Sequence, residues 1–205
     1  MTNEVVEIIK YITINRVTTL DIGGELFVRY CTDTTDSTMD FAGDLISKGC
    51  SPWTIVTAEQ QTTGRGTHGR NWISPKGKGL LVSIILDPPT RFESLEDLSV
   101  RTAGVLISAL KECCDLPFEI KYPNDVLIRG RKVAGIMFES VSSSEKVLSL
   151  VLGMGLNVYH SSRDFKRAGL PDATSLFTEA GYAPDREHLL VSFLEHFIPM
   201  YKDIQ

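Results

Sequence analysis

The alternation of apolar and polar residues along the chain predicts both strands and helices. Apolar, β-branched runs predict strands at ELFVRYC from Glu25, at TIVTAEQ over 54–60 and at LLVSIIL over 80–86. The third run shows no polar alternation, so we expect that strand to be buried on both faces. Four more runs, PFEIKY, DVLIRG, KVAGIMFES and KVLSLVLGMGLNV (146–158), follow later, with Gly130 placed as a hairpin turn. The second half of the chain is therefore rich in strands.

Apolar residues at helical spacing predict three helices. Their predicted spans, in chain order, are 37–48, 94–113 and 185–199. Asp36 or Ser37 caps the first helix, Ser94 with Asp97 predicts a capping box for the second, and Pro199 is expected to kink or end the third. The order of elements predicts an α+β fold of one domain over 1–205, a mixed, mainly antiparallel sheet with helices packed on it.

Composition narrows the class of protein. The chain has 205 residues, of which 42% are hydrophobic and 23% charged, which is typical of a folded globular domain. A net charge of −5 argues against a dedicated nucleic-acid binder. No window contains the roughly 18 consecutive apolar residues that a membrane span needs. The start, MTNEVVEIIKYITINR, has no basic region before its apolar residues, so a signal peptide is not predicted either.

The cysteines and histidines indicate neither disulfides nor a structural transition-metal site. None of the four cysteines forms a CxxC pair, which favours reduced thiols in a cytoplasmic protein. The four histidines are not spaced as metal ligands. Any chemistry must therefore come from other residues.

A loop rich in glycine and arginine, GRGTHGRNW at 64–72, is the most informative segment. It contains GxGxxG, but Pro75 and two further glycines follow where a dinucleotide-binding fold needs a helix, so that fold is rejected. A kinase is rejected because no HRD or DFG segment occurs. Glycine amides and arginine forks suit a bound phosphate or carboxylate. The alternative is a surface loop with solvated arginines.

Lys132 stands out for a different reason, since it lies within an apolar predicted strand that also contains a glycine. An ammonium group without a nearby anion is costly to bury. Lys132 is therefore either an ordinary lysine at a sheet edge or a group that meets the charge of a ligand.

Together these segments closely resemble the catalytic domain of biotin protein ligases (biotin–[acetyl-CoA-carboxylase] ligases). The matching pieces occur in the family's order over about residues 25–200: DSTM (36–39), AEQQTTGRGTHGRNW (58–72), KYPNDVLI (121–128), RKVAGIMFE (131–139), GMGLNV (153–158) and ATSL (173–176). The resemblance implies the biotin–lipoyl ligase catalytic fold, which is similar to that of class II aminoacyl-tRNA synthetases.

The resemblance also implies an ATP-dependent ligase with two half-reactions. The carboxylate of biotin attacks the α-phosphorus of Mg-ATP, giving biotinyl-5′-AMP and pyrophosphate. The amine of one lysine on a biotin carboxyl carrier domain then displaces AMP. Because the first nucleophile is already an anion, this chemistry needs charge compensation and alignment rather than an activated serine or cysteine.

Site residues follow from the same resemblance. Implied catalytic residues are Lys132 and Arg65. Implied biotin contacts come from Ser37, Thr38, Gln61, Gly64, Arg65, Lys132, Gly135, Gly153 and Gly155. Implied nucleotide contacts come from Arg65, Arg70, Trp72, Asn124, Asp125, Lys132 and Asn157, with Asp125 on the side of Mg²⁺. Taken alone, Ser37 and Thr38 would be read as helix caps and Trp72 as a core residue.

The chain departs from the family pattern in three ways. Thr67 stands where a basic residue is usual, which predicts weaker retention of biotinyl-AMP. A DNA-binding domain before the catalytic domain and an SH3-like domain after it are both expected to be absent.

A homodimer formed through a sheet edge is common among relatives and stays open here. The alternatives are a lipoate–protein ligase and a non-catalytic relic that binds biotin or a nucleotide.

Overall fold

Eight strands form one sheet in the computed structural model, which describes residues 14–91, 94–142 and 147–205. Their bounds are β1 Arg16–Ile22, β2 Glu25–Thr35, β3 Ile55–Gln61, β4 Gly79–Leu86, β5 Phe118–Lys121, β6 Asp125–Ile128, β7 Arg131–Ser142 and β8 Val147–Asn157. The strand order is β1-β2-β3-β4-β8-β7-β6-β5. Among these strands only β2 and β3 pair in parallel, so the predicted mixed, mainly antiparallel sheet is confirmed.

Helices cover both faces of the sheet. They are α1 Thr38–Ser47, α2 Leu95–Cys113, α3 Ser162–Ala168, α4 Leu176–Ala180 and α5 Arg186–Lys202. Leu98 of α2 and Phe193 of α5 share one apolar core with Ile84 of β4. Phe41 of α1 shares a second core with Ile85, the next residue of that strand. Because neighbouring strand residues point to opposite faces, all eight residues of β4 are buried, as its unbroken apolar run predicts.

Polar caps begin the predicted helices where the sequence places them. The side chain of Ser37 accepts a hydrogen bond from the Met39 amide, and that of Ser94 accepts one from the Asp97 amide. The carboxylate of Asp97 accepts from the Ser94 hydroxyl at 3.0 Å, rather than from the backbone amide of a reciprocal capping box. These caps satisfy amides that have no partner inside the helix.

The structure corrects several sequence-based boundaries. Strand β2 continues through the polar TDTT segment to Thr35, because that segment pairs with β3. Helix α5 does not end at Pro199 but runs to Lys202. The reason is tertiary packing: Tyr201 is fully buried and its hydroxyl donates to the carbonyl of Asp87 at 2.7 Å.

Three elements were not predicted at all: β1, α3 and α4. The start of the chain, for which a signal peptide was rejected, and Lys146, the predicted start of β8, lie outside the described residues. In the described part of the chain no helix is long and apolar enough to cross a bilayer. All four cysteines are free thiols.

Candidate functional site

Two adjoining cavities open on the side of the sheet that carries α1. The first is narrow, with about 40 Å³ of space, and the second holds about 360 Å³. Gly66, Thr67, Trp72 and Lys132 line both cavities and therefore form the boundary between them.

The parallel pairing of β2 and β3 creates one end of the first cavity. This pairing sets Thr35 beside Gln61, so the start of α1 and the end of β3 lie side by side. Both the amide and the hydroxyl of Thr38 donate to Oε1 of Gln61, at 2.7 and 3.0 Å, and the Ser83 hydroxyl donates to that of Thr38 at 2.8 Å. Ser37, Thr38 and Gln61 form a hydrogen-bonded polar end wall of the cavity, in which Ser37 and Thr38 are buried. Ser83 supports Thr38 without lining the cavity.

Glycines form the floor of the first cavity. Gly135 of β7 and Gly155 of β8 are cross-strand partners, and the indole of Trp72 lies directly over both. A Cβ atom at Gly155 would overlap this indole, and one at Gly135 would lie 3.1 Å from both the indole and Nζ of Lys132. Gly153 is covered in the same way by the thioether of Met39. The absence of side chains at these positions leaves a groove across two adjacent strands, and the side chains of Trp72 and Met39 lie in it.

A β-bulge directs Lys132 towards this groove. On β6, Val126 pairs with Ala134 but the next residue, Leu127, pairs with Lys132, so Val133 is an extra residue in β7. Val133 and Ala134 are both buried in the main core. The inserted residue therefore puts Lys132 on the same face as Gly135, three positions along.

The Lys132 ammonium group has two neighbours. It lies 2.6 Å from Oδ1 of Asp125, a distance typical of an ion pair, although this oxygen has no hydrogen bond of good geometry. It also lies 5.4 Å from the centre of the Trp72 ring, within cation–π range. Its side chain remains 30% exposed, and it borders both cavities. Lys132 is thus a half-desolvated cation located where two anions could meet.

The glycine-arginine loop folds into a small hairpin over the first cavity. The Trp72 amide donates to the Gly64 carbonyl and the Gly66 amide to the Arg70 carbonyl, each at 2.7 Å. Gly64 lines neither cavity; a Cβ there would overlap the Trp72 carbonyl and the Gln61 side chain, so glycine allows the close approach of these segments.

The two arginines of the loop have different surroundings. Arg65 contacts two carboxylates, Asp40 of α1 at 2.9 Å and Glu139 of β7 at 2.8 Å. Arg70 is exposed at the second cavity, and within the described part of the chain it donates to its loop neighbour Thr67, to the carbonyl and the hydroxyl, both at 3.3 Å. Arg65 is held by acidic groups, whereas Arg70 makes weak contacts that an anion could replace.

The residues predicted from the sequence fall into two groups around the cavities. Those lining the first cavity are Ser37, Thr38, Gln61, Arg65, Trp72, Asn124, Lys132, Gly135, Gly153 and Gly155. Those lining the second are Arg70, Trp72, Asp125, Lys132 and Asn157. Asn124, expected only at the nucleotide, thus faces the first cavity, as does Arg65, which was expected at both ligands. The side-chain amide of Asn124 donates to the carbonyl of Ile136 at 2.9 Å.

Sequence reasoning missed the far wall of the second cavity. Residues 169–173 and Phe165 form that wall. Phe165 stacks on the buried ring of His160, whose Nε2 lies 3.1 Å from the Ser74 hydroxyl. Burial lowers the pKa of His160 to about 4, so this histidine is neutral at pH 7. The signal in the sequence is the ATSL segment (173–176), whose first residue, Ala173, belongs to this wall but to which no role at the site was assigned.

The donor set is suited to a metal only in part. Among the described residues no group of three His, Cys, Asp or Glu side chains could hold a metal ion alone. Asp125 offers one carboxylate oxygen without a well-formed hydrogen bond, at the wall of the second cavity. One protein carboxylate is enough for Mg²⁺ when phosphate oxygens and water complete its octahedron.

Comparisons with known proteins agree with this geometry. Residues 31–157 match the model of the biotin/lipoate A/B protein ligase family. The chain is 35% identical over 150 residues to the bifunctional ligase/repressor BirA of Bacillus subtilis, covering 73% of this chain and 46% of that protein. It is 36% identical over 147 residues to the biotin–[acetyl-CoA-carboxylase] ligase of Paracoccus denitrificans, covering 66% of this chain and 57% of that one. The chain thus spans about half the length of these curated relatives.

Solved structures give the same fold. The biotin protein ligase of Aquifex aeolicus in complex with biotin and ATP superposes with a TM-score of 0.71 at 32% identity, covering 85% of this chain and 70% of that chain. The predicted ligase-type catalytic fold is therefore confirmed.

Proposed function

The chain belongs to the biotin/lipoate A/B protein ligase family, and from that premise we propose that it activates biotin as biotinyl-5′-AMP and transfers it to a lysine of a carboxyl carrier domain. The observation that carries the proposal is the position of Lys132. Its ammonium group borders both cavities, one walled by hydrogen-bonding groups over a glycine floor and one lined by further charged residues. This arrangement suits a vitamin and a nucleotide that react where their sites meet.

In the first half-reaction the biotin carboxylate would lie at the boundary, with its ring at the polar end wall formed by Ser37, Thr38 and Gln61. A carboxylate oxygen forms a bond to the α-phosphorus, and the bond from that phosphorus to pyrophosphate breaks. Lys132 compensates the charge of both anions, and Arg70 is available to the phosphates. Alignment of two bound reactants in this way can lower the barrier by roughly 7–11 kcal/mol.

In the second half-reaction the lysine amine of the acceptor attacks the acyl carbon of the mixed anhydride. The new C–N bond forms, the amine loses a proton, and AMP leaves with the bonding pair. A mixed anhydride is also prone to hydrolysis. The loop hairpin over the first cavity, with Trp72 as its inner face, would keep water from the adenylate until the acceptor arrives.

Mg²⁺, when bound, would neutralise phosphate charge and orient the leaving pyrophosphate. Asp125 is the residue that would hold it, together with oxygens of the nucleotide and water. Because Asp125 also pairs with Lys132, it keeps this lysine oriented towards the boundary of the cavities.

Transfer of labelled biotin tests the proposal directly. The protein is incubated with ATP, Mg²⁺, radiolabelled biotin and a purified carrier domain, and label on the carrier is measured. We expect labelling that requires ATP and is abolished when the acceptor lysine of the carrier is replaced by arginine. Binding of biotin without release of AMP would instead identify a non-catalytic binding module. Absence of both binding and transfer would refute the proposal.

Competition distinguishes biotin from lipoate as the acid that is activated. In an ATP–pyrophosphate exchange assay, each free acid is added alone and then together with the other. We expect exchange with biotin, and inhibition of lipoate-dependent exchange by biotin at far lower concentrations than the reverse. Exchange that depends on lipoate alone would favour a lipoate–protein ligase.

The proposal includes a cytoplasmic setting without nucleic acid as a partner. Four free thiols suit a reducing compartment, and the net charge of −5 does not suit a phosphate backbone.

A further inference from the structure

A buried carboxylate outside both cavities is connected to Lys132 through the backbone. Glu179 of α4 has a side chain that is only 3% exposed, yet it receives hydrogen bonds from three partners. Arg129 donates to one of its oxygens at 2.7 Å, and Arg131 and the hydroxyl of Thr174 donate to the other. Desolvation alone would raise the pKa of Glu179, but these three donors lower it below its ordinary value. The carboxylate is therefore ionised and fully bonded.

These partners belong to two separate segments that meet at Lys132. Arg129 and Arg131 flank Gly130 in the hairpin between β6 and β7, and Arg131 directly precedes Lys132. Thr174 belongs to the segment that leads into α4. Salt bridges to the hairpin and a hydrogen bond from Thr174 let Glu179 fix the hairpin relative to the segment that approaches it from the other side.

The backbone of Lys132 forms its hydrogen bonds with that approaching segment. Strand β8 does not reach it, because the pairing of β7 with β8 begins only at Ala134. Instead the Lys132 amide donates to the carbonyl of Asp172, and the Lys132 carbonyl accepts from the amide of Thr174, both at 2.8 Å. The segment thus replaces β8 as the backbone partner of Lys132, next to the bulge. The Asn157 side chain holds the same segment by donating to the Thr174 carbonyl at 3.0 Å.

We propose that Glu179 is a positioning residue for Lys132, which acts by clamping the β6–β7 hairpin to residues 172–174 on either side of the lysine. This inference rests on the proposed function, since it assigns Glu179 a role in adenylate formation through Lys132. Glu179 itself reaches neither cavity. A bulge is the least regular part of a strand, so the direction of the Lys132 side chain next to the bulge needs support from outside the sheet.

The test begins with Glu179→Gln, which keeps the shape of the side chain and removes its charge. Arg129 and Arg131 are 56% and 44% exposed, so both can turn to solvent and the fold is expected to survive. In biotin-dependent ATP–pyrophosphate exchange we expect kcat to fall by about 10- to 100-fold, as for misplacement of a reacting group by about 1 Å, while KM for biotin changes little. Thr174→Val breaks one arm of the clamp and is expected to lower kcat in the same direction.

Glu187→Gln is the control, because Glu187 also forms a salt bridge with an arginine, Arg29, but away from the site; its side chain is 55% exposed, compared with 3% for Glu179. Its kcat is expected to match that of the wild type. The double variant Glu179→Gln with Lys132→Ala separates positioning from general damage. If Glu179 acts through Lys132, the double variant is no slower than Lys132→Ala alone. Multiplied losses, or an unchanged kcat in Glu179→Gln, would overturn the inference.

Hydrogen exchange supplies a readout that does not depend on activity. In Glu179→Gln the amides of Lys132 and Thr174 are expected to exchange at least tenfold faster, and in Glu187→Gln at the wild-type rate. Unchanged protection of both amides in Glu179→Gln would refute the clamp even if the enzyme is active. Conversely, absence of biotin-dependent ATP–pyrophosphate exchange in the wild-type protein would refute the proposed function. The hydrogen exchange of the amides would still decide whether the clamp exists.

Discussion

At the scale of single residues, Lys132 is the side chain on which the proposed chemistry depends most. Replacing it with alanine removes the cation at the boundary of the two cavities but leaves the buried Val133 and Ala134 in place. We expect Lys132→Ala to lower adenylate formation by at least about 100-fold, as for loss of a donor that stabilises a transition state. Rapid-quench measurement of biotinyl-AMP from labelled ATP provides the rate.

The matched control is Lys76→Ala, which removes a lysine that pairs with Asp33 on the surface. Its rate is expected to equal that of the wild type. Both variants should show the wild-type melting temperature within a few degrees. A decrease of less than tenfold for Lys132→Ala would show that another group carries the charge compensation.

Thr67 gives a second prediction at this scale. It lines both cavities, and its hydroxyl accepts a hydrogen bond from the Arg70 side chain. The resemblance to biotin protein ligases implies a basic residue at this position. Thr67→Arg adds a cation next to the bound adenylate, so we expect biotinyl-AMP to dissociate more slowly. The off-rate is measured by chasing preformed labelled adenylate with unlabelled biotin and ATP. Thr67→Gln, of similar length but neutral, controls for size, and equal rates for Thr67→Arg and the wild type would reject the hypothesis.

How well the position and contacts of a residue could be predicted depends on whether the groups it contacts are close to it in sequence. Ser37 and Gln61, which the sequence motifs assign to one site, line the same cavity because both motifs already carry the polar groups that meet there. The acidic partners of Arg65 could not be predicted, since Asp40 and Glu139 come from a helix and a strand far apart in sequence. Glu179 was missed for the same reason: nothing local marks a carboxylate that is buried only by tertiary structure.

At the scale of elements, the cap of α5 offers a direct test of local stability. Asp185 accepts hydrogen bonds from the amides of Glu187 and His188, at 2.8 and 3.4 Å, and its charge also favours a helix N-terminus. We expect Asp185→Ala to lower the free energy of unfolding by about 1 kcal/mol. Urea denaturation measures it, with Glu195→Ala on the exposed side of the same helix as a control of near-zero effect. A loss no larger than that of the control would show that the cap is not needed.

Helices and strands were predicted well where the hydrophobic periodicity of the sequence agrees with their burial in the structure. They were predicted poorly where the two disagree. The continuous apolar run of β4 and the capped stripes of α1 and α2 show their burial in the sequence itself. Strand β1 is an edge strand with exposed Val17 and buried Ile22, and its polar threonines hide the alternation. Helix α5 passes Pro199 because the core holds Tyr201, a tertiary effect that overrides the local signal.

At the scale of the whole molecule, the geometry of the candidate site follows from the two-sided sheet. Helices α2 and α5 fill one face, whereas α1 covers only part of the other. The glycine floor on β7 and β8 is left for the loop hairpin to cover. The fold class could be predicted from element order, but the cavity could not, because it depends on the cross-strand register that sets Gly135 opposite Gly155.

The dependence of stability on pH is the last property that the whole structure predicts. His160 is 1% exposed, stacked on Phe165 and close to Asp164 and Lys78, and burial lowers its pKa from an ordinary value near 6.5 to about 4. Between these values the unfolded chain binds a proton that the folded chain does not. The free energy of unfolding therefore falls as pH decreases from 6.5 to 4, by about 3 kcal/mol for this group.

Urea denaturation at several pH values between 4 and 7 measures this loss. In His160→Gln, which keeps a hydrogen-bonding group near the Ser74 hydroxyl, no proton binds at this position in either state, so the slope of stability against pH should be shallower over the same window. His188→Gln, at an exposed position on α5, should keep the wild-type slope. His160 stacks on Phe165, which lies in the wall of the second cavity. Protonation of His160 would therefore destabilise the proposed nucleotide site together with the fold. A His160→Gln variant that keeps the full wild-type slope would mean that other groups cause the acid sensitivity.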